Sequence, residues 1–572
     1  MSKDKNLEIM RHSCSHILAQ AVLEMFPEAK LGIGPAIKNG FYYDFDLPRT
    51  LIPEDLQILE KKMKKIVKQN FPFKKEVVDR EKAIAFMKKI KQPYKVELLK
   101  EIKEKKVTFY RDGKFLDLCS GPHLKSTGQI GPFKLTSIAG AYWQGNEKNK
   151  MLQRIYGICF ETQKELDKYL KQKEEAEKRD HKKLGAELDL FSFHSESPGS
   201  VFWHPKGMII WNELENFGKN LRRKYGYQEI QTPQLAKNIL WKNSGHWEHY
   251  KNEMFYFDVE KETYCLKPMD CPFNIKIYQT RQHSYKELPI RFTEIGRIMR
   301  NEKSGQLNGL LRLRYLTQDD AHIFLTKNQV EKEIITILKL VKEYYKAFGI
   351  APKFYLSTKG DNYMGDIADW DEAEKDLKNA LKKEKIKYDL KEKDAAFYGP
   401  KIDIDIEDAL GRPWQLATIQ LDFQLPKRFE LEYIDKNSKK QTPVMIHAAI
   451  FGSIERFTGI LLEHYAGYLP LWLSPIQVTT IPVSNKFSAY AKKVYSDLLA
   501  EGIRVELNDK DETLGKRISE SEKQKIPYMA VAGEKEQKSK SITARKHDNK
   551  KLETLSIKNF IDKIKKQIEN KD

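Results

Sequence analysis

Two short histidine and cysteine spacings stand out first: His12-Ser-Cys-Ser-His16 and Cys119-Ser-Gly-Pro-His123. On a helix over 6–26, residues four apart share a face, so His12 and His16 can converge on one ligand, either a metal or a water. The second pair sits on a Gly-Pro turn that also allows convergence, and three histidines with one cysteine form a set that can bind zinc. Further on, Arg291-Phe-Thr-Glu-Ile-Gly-Arg-Ile-Met-Arg300-Asn-Glu302 is followed by a turn-rich loop to Arg312-Leu-Arg314. A strand-loop-strand here would gather several arginines at one end of a sheet, where planar guanidinium forks suit phosphate oxygens. A surface ion-pair network with Glu294 and Glu302 is the plainer alternative.

These residues need several domains to position them. At 572 residues the chain exceeds a single core, and about 100 to 200 residues per domain predicts three or four. With 40% hydrophobic and 32% charged residues, it can bury several cores beneath a charged surface. Lys plus Arg exceed Asp plus Glu by 101 to 81, a formal charge of +20. That excess suits a polyanion such as nucleic acid, or reflects a lysine-rich composition in general. No apolar run approaches the ~20 residues of a membrane span, and the N-terminus lacks a signal-peptide core, so the expected location is the cytoplasm. Five cysteines (Cys14, Cys119, Cys159, Cys265 and Cys271) without a framework spacing are expected to be reduced thiols, some of them candidate metal ligands.

The expected organisation is a compact α+β domain over 1–165, a helical linker over 166–190, a mixed and largely antiparallel sheet with flanking helices over 191–470, and a small α/β domain over 471–572. The linker rests on the charged run Glu161 to Leu190, which has no Pro or Gly before Gly185. The last domain rests on strand (476–482), helix (487–501), strand (504–507), helix (514–524) and strand (528–532) in alternation, which predicts a parallel sheet. The Lys-rich stretch 534–551 reads as a polar loop or hairpin.

Arg300-Asn-Glu302 with Thr317-Gln-Asp-Asp-Ala-His322 resembles motif 2 of the class II aminoacyl-tRNA synthetases in their threonyl form. Gly452-Ser-Ile-Glu-Arg456 resembles motif 3, and Tyr227-Gln-Glu-Ile-Gln-Thr-Pro233 is similar to motif 1. Asn39-Gly-Phe-Tyr-Tyr-Asp-Phe-Asp46, Ala139-Gly-Ala-Tyr-Trp143, Phe397-Tyr-Gly-Pro-Lys401 and Pro443-Val-Met-Ile-His447 extend the likeness from the first helix to the last strand. The fold it implies is an antiparallel-sheet catalytic core with an N-terminal editing domain and a C-terminal anticodon-binding domain. The activity it implies is activation of L-threonine with ATP, transfer to tRNA(Thr), and hydrolysis of mischarged seryl-tRNA.

By that resemblance Arg300 clamps the ATP α-phosphate, Glu302 accepts from the adenine amino group, and Arg312 and Arg456 hold the outer phosphates. Gln415, Thr418 and Ser453 complete the ATP side, and Mg²⁺ accompanies ATP. Cys271, His322 and His447 resemble the ligands of one zinc ion per subunit with an open position for substrate. Met269, Gln318, Asp320, Tyr398, Lys401 and Gln420 match the threonine side, with Lys401 also a catalytic candidate. His246 resembles the residue associated with transfer to tRNA. His12, His16, Lys95, Asp117, Cys119 and His123 resemble the editing pocket, expected to activate water rather than to hold a second metal. Glu536 and Arg545 are the anticodon candidates.

The sequence departs from the family in three places. It opens directly on the editing helix, where many bacterial members carry a ubiquitin-like domain first. Leu316 stands where an adenine-stacking Phe is usual, and Phe273-Asn274 follows Cys271-Pro272. The family also implies a homodimer through motif 1. A catalytically silent paralogue that binds RNA is the rival; intact Arg300, Arg456 and zinc-ligand positions argue against it.

Overall fold

The segment Tyr315–Leu325 alternates Gln318, Asp320 and His322 with Asp319, Ala321 and Ile323, and a period of two sends these sets to opposite faces of a sheet. In the computed structural model, which describes residues 3–361, 363–396, 398–547 and 549–571, it forms one strand of an eight-stranded sheet. Phe397 therefore lies outside the described residues. The strand order is Gln228–Glu229, Ile290–Met299, Tyr315–Leu325, Val444–Ala449, Pro413–Asp422, Lys401–Glu407, Pro352–Ser357 and Tyr388–Lys391. The inner pairings are antiparallel and the outermost pairing at each edge is parallel. One face carries Ala321, Ile323, Ile446, Ile419, Ile402 and Ile404, all buried in a core with helices Pro205–Lys224, Val330–Lys346, Ile367–Lys383 and Ile454–His464. The opposite face carries Gln318, Asp320, His322 and Gln420 together with Phe292, Phe324 and Met445, which are buried in a second core.

The chain divides into two compact units, Met1–Glu174 and Glu175–Asp572. In the first, helix Lys3–Met25 buries Cys14, Ile17, Leu18, Ala21 and Val22 in one core with the sheet containing Gly40–Asp46, Phe133–Tyr142 and Met151–Cys159. A second sheet is made of Lys74–Asp79, Lys106–Asp112 and Phe115–Leu118. All five cysteines are free thiols.

Two expectations need correction. The charged run is not one helix but two, Gln163–Lys178 and His181–Glu187. Asp180 breaks it, adopting a non-helical conformation and accepting the Lys182 N–H at 2.7 Å, as a short carboxylate at an N-cap does. The last sheet is mixed rather than parallel. Val505–Leu507, Val478–Pro482 and Tyr528–Ala532 pair in parallel, but Ser541–Lys546 and Asn549–Ser556 extend the sheet antiparallel. The Lys-rich stretch thus contains a helix, Glu534–Ser539, and a hairpin. Its apolar positions Ile542 and Ala544 are buried in the C-terminal core, so they set the pairing despite the lysines around them. Among the described residues, no helix is long and apolar enough to cross a membrane.

Candidate functional site

Sheet register assembles the polar face. His322 pairs with His447, His447 with Gln420, and Gln420 with Lys401. Neighbours in register point to the same side, so four residues far apart in sequence form one row. Cys271 reaches that row from the first turn of helix Cys271–Tyr278. The candidate ligand atoms of Cys271, His322 and His447 lie within 4.8 Å of one another, and all three residues are buried. His447 Nε2 is held on Asp422 Oδ2 at 2.9 Å, so Nδ1 keeps the lone pair it can give. Among the described residues neither ring nitrogen of His322 has a hydrogen-bond partner. A buried imidazole with both nitrogens unsatisfied is costly unless a ligand completes it, and Cys, His and His are donors that suit zinc. Burial, reinforced by His447 and nearby cations, keeps His322 neutral, the form that binds metal.

Around this trio, Tyr398 donates to Gln420 Oε1 at 3.0 Å, and Asp320 accepts the Ala321 N–H at 3.0 Å. Burial and Asp270 together push the Asp320 carboxyl up. His246 places Nδ1 2.7 Å from Ser244 Oγ and Nε2 3.0 Å from Met269 Sδ. Burial, then repulsion from His447, lowers its pKa to about 4, so it is a neutral imidazole at physiological pH.

Beside the row opens a cavity of about 690 Å³. It is lined by all seven residues predicted for ATP: Arg300, Glu302, Arg312, Gln415, Thr418, Ser453 and Arg456. Gln318, Leu316 and Trp414 share its wall. Glu302 pairs with Arg312 at 2.9 Å, whereas Arg456 Nε is buried with no partner among the described residues, and its guanidinium lies 5.8 Å from the Trp414 ring centre. Three arginines at one cavity suit phosphate oxygens.

Two residues absent from the sequence-based set hold this arrangement together. Asp403, fully buried, accepts from Ser357 Oγ at 2.9 Å, Gln415 Nε2 at 2.6 Å and Thr418 Oγ1 at 3.2 Å, and pairs with Lys401 Nζ at 2.8 Å. It ties Lys401 to two residues of the cavity wall. Arg222, buried in helix Pro205–Lys224, pairs with Asp319 at 2.6 Å. Asp319 also accepts the Ile450 N–H at 2.8 Å, so this pair joins a helix to two strands beneath the polar face. The Asp403 signal was visible: Lys401-Ile-Asp403 has the period of two that puts an acid beside the lysine. Arg222 gave no such signal.

In the first unit, Cys119 Sγ lies 3.2 Å from both His12 Nε2 and His123 Nε2. The His16 ring centre is 4.2 Å from that of His123. Ser13 Oγ joins the set 3.1 Å from His123 Nδ1. Gly121, in the turn between Cys119 and His123, has φ +73°, and a Cβ there would meet Tyr110 Oη at 2.3 Å. Lys95 and Asp117 form a buried pair at 2.7 Å, with Lys95 Nζ 3.0 Å from Tyr43 Oη. Burial raises the Cys119 pKa to about 11 and lowers those of His12, His16 and His123. The pocket therefore offers a protonated thiol and neutral imidazoles, which position or deprotonate water more readily than they supply a thiolate nucleophile. The four donor atoms also lie within 4.8 Å of one another. The anticodon candidates each have a partner of their own: Glu536 accepts from Thr543 Oγ1 at 2.8 Å, and Arg545 pairs with Glu522 at 2.6 Å.

An antiparallel sheet with an arginine-lined cavity and a buried Cys/His/His trio on one face defines the class: a class II aminoacyl-tRNA synthetase core. Residues 250–465 match the family described as the tRNA synthetase class II core domain (G, H, P, S and T), residues 477–567 the anticodon binding domain, and residues 107–156 the threonyl and alanyl tRNA synthetase second additional domain. The threonine–tRNA ligase of Caldanaerobacter subterraneus subsp. tengcongensis is 51% identical over 99% of this chain and 88% of its own length. That of Clostridium tetani is 50% identical over 99% of this chain and 89% of its own. The solved RNA-binding domain of threonyl-tRNA synthetase from Cryptosporidium parvum is 43% identical with a TM-score of 0.66, covering 68% of this chain and 98% of that one. The chain belongs to the threonyl-tRNA synthetase family.

Proposed function

We propose that the protein is a threonine–tRNA ligase that activates threonine at the polar face of its central sheet, transfers it to tRNA(Thr), and hydrolyses mischarged seryl-tRNA at the His12/His16/Cys119/His123 pocket. The observation that carries the reading is the buried row His322, His447, Gln420 and Lys401 beside a cavity lined by Arg300, Arg312 and Arg456. Cys271, His322 and His447 would hold one zinc ion per chain. When bound, zinc supplies a Lewis-acid position that recognises an amino group and a hydroxyl.

The chain's own residues do the rest. Arg300, Arg312 and Arg456 neutralise the phosphates of Mg²⁺-bound ATP while the threonine carboxylate attacks the α-phosphate and pyrophosphate leaves. Glu302 must exchange Arg312 for the adenine amino group. Gln318, Asp320, Met269, Tyr398, Lys401 and Gln420 line the amino-acid side, and Gln415, Thr418 and Ser453 the nucleotide side. His246, neutral and adjacent, is placed to take a proton when the tRNA hydroxyl attacks the adenylate carbonyl and AMP leaves. In the first unit, neutral imidazoles activate a water toward the seryl ester, with Lys95 and Asp117 fixing the pocket floor. Glu536 and Arg545 would contact anticodon bases by exchanging their present partners. Domains over 1–165, 191–470 and 471–572 with a linker over 166–190, a homodimer through motif 1 and a cytoplasmic location complete the reading.

Two sites are needed because a site that binds a hydroxyl rejects valine strongly, whereas serine differs from threonine by one methyl, worth about 1 to 3 kcal/mol. Amino-acid-dependent ATP–pyrophosphate exchange tests this. Strong exchange with threonine, weaker exchange with serine and almost none with valine is expected, with one zinc per chain. Exchange with none of them would favour an RNA-binding paralogue, and two zinc ions per chain would assign a metal to the front pocket.

A further inference from the structure

A third group of potential ligands, Asp180, His181 and Glu463, lies outside the sites described above. Its hydrogen bonds exclude a metal. His181 is 1% exposed; its Nε2 lies 3.0 Å from the Leu310 N–H and its Nδ1 2.7 Å from Glu463 Oε1. A backbone N–H can only donate, so Nε2 is the acceptor and the ring proton sits on Nδ1, facing the carboxylate. Neither nitrogen has a lone pair left over.

What the ring does instead follows from its partners. Leu310 belongs to the short turn Gly309–Leu311 in the loop between strands Ile290–Met299 and Tyr315–Leu325, and it lines the 690 Å³ cavity. Arg312 follows two residues later. Glu463 sits near the end of helix Ile454–His464, whose first turn carries Arg456. The carboxylate also takes Arg412, which pairs with Asp408 at 2.6 Å, and Asp408 accepts from Trp414 Nε1 at 2.9 Å. A continuous chain thus runs from the Leu310 amide through His181, Glu463, Arg412 and Asp408 to Trp414, and both of its ends are cavity wall. Close packing enforces it: at Gly309, φ +50°, a Cβ would lie 2.2 Å from His181 Nε2. Arg179 adds a bond to the His464 carbonyl at 3.1 Å.

We propose that His181, from the linker segment, is a positioning residue for nucleotide binding: it anchors the Gly309–Leu311 turn so that Arg312 and Leu310 face Trp414 across the cavity. This rests on the reading of that cavity as the ATP site. The two ring nitrogens can be tested separately. Asn in place of His181 can still donate to Glu463 but cannot reach the Leu310 amide, whereas Gln can accept from Leu310. In threonine-dependent ATP–pyrophosphate exchange, His181→Asn is expected to raise KM for ATP about tenfold, the effect of losing one buried hydrogen bond. KM for threonine should stay within about twofold, and His181→Gln should restore KM for ATP to within about threefold. Amide hydrogen exchange at Leu310, which needs no activity, should be fast in the Asn variant and protected in the parent and the Gln variant. Unchanged KM for ATP in His181→Asn, or KM values for ATP and threonine rising together in both variants in step with Tm, would overturn the proposal. A parent without threonine-dependent exchange would overturn the functional reading, and Leu310 protection that does not distinguish Asn from Gln would then overturn the anchor as well.

Discussion

Replacing Asp403 should separate electrostatics from hydrogen bonding at the heart of the polar face. The carboxylate is 0% exposed, while its ion-pair partner Lys401 is 18% exposed. Asp403→Ala removes one acid, strands the Ser357, Gln415 and Thr418 donors, and leaves the Lys401 ammonium only Asp394 at 3.8 Å among the described residues. Removing one member of a buried pair costs about 3 to 5 kcal/mol, and the partial exposure of Lys401 places this case at about 3 kcal/mol. Asp403→Asn keeps an oxygen for Gln415 and Thr418, and the Ser357 hydroxyl can turn to accept from the new amide. Only the Lys401 pair is lost, a change of about 1 to 2 kcal/mol. Calorimetry should therefore rank the melting of Glu175–Asp572 as parent, Asn, Ala. Exchange kinetics should show KM for ATP raised in the Ala variant, because Gln415 and Thr418 lose their anchor, and a kcat defect in both, because both free Lys401. Asn and Ala variants that match each other in Tm and in KM for ATP would refute the hub; a parent-like Ala variant would refute the geometry altogether.

Three further perturbations read other parts of the molecule. Asp112 is fully buried, neither oxygen has a hydrogen-bond partner among the described residues, and burial, then Asp117, raises its pKa to about 7. The folded state thus keeps a proton that the unfolded chain releases near pH 4, so stability falls as pH rises through that window. Asp112→Asn should raise the melting temperature of the N-terminal unit at pH 8 and leave it nearly unchanged at pH 4; equal shifts at both would show the pKa is not raised. Gly296 has no room for a side chain, since a Cβ would lie 1.8 Å from Asp270 Oδ2, and Asp270 immediately precedes Cys271. Gly296→Ala is expected to cost about 3 kcal/mol and to lower bound zinc; a variant with parent Tm and full zinc content would contradict this. Leu316 lines the 690 Å³ cavity, and if ATP binds there as proposed, Leu316→Phe should lower KM for ATP severalfold, as about 1 kcal/mol of ring stacking would. An unchanged KM would mean that adenine stacks elsewhere, with Trp414 the next surface to test.

Much of the site was legible because strands write their faces with a period of two. Gln318, Asp320 and His322 announce one face, and Lys401 and Asp403 the same face on another strand. Nothing local connects His322 to Cys271, 51 positions away, or to His447, 125 positions away. His322 and His447 meet through register between strands that are neighbours in space and not in sequence, and Cys271 joins them from a helix, so only the likeness to a known family could join all three. The misses have a common cause. Arg222 and His181 sit in charged helical stretches where one more polar residue looks like solvated surface, and burial is decided by what packs over them. For Arg222 there was a clue in its partner: Asp319 occupies the face its strand otherwise gives to Ala321 and Ile323. An acid on an apolar face must find a buried cation or lose its charge, and Arg222 is that cation. For His181 the sequence carried no such clue, since the helix break at Asp180 shows only in the structure. Polar residues out of phase with their own element are thus where sequence reading should look for what holds an active site in place.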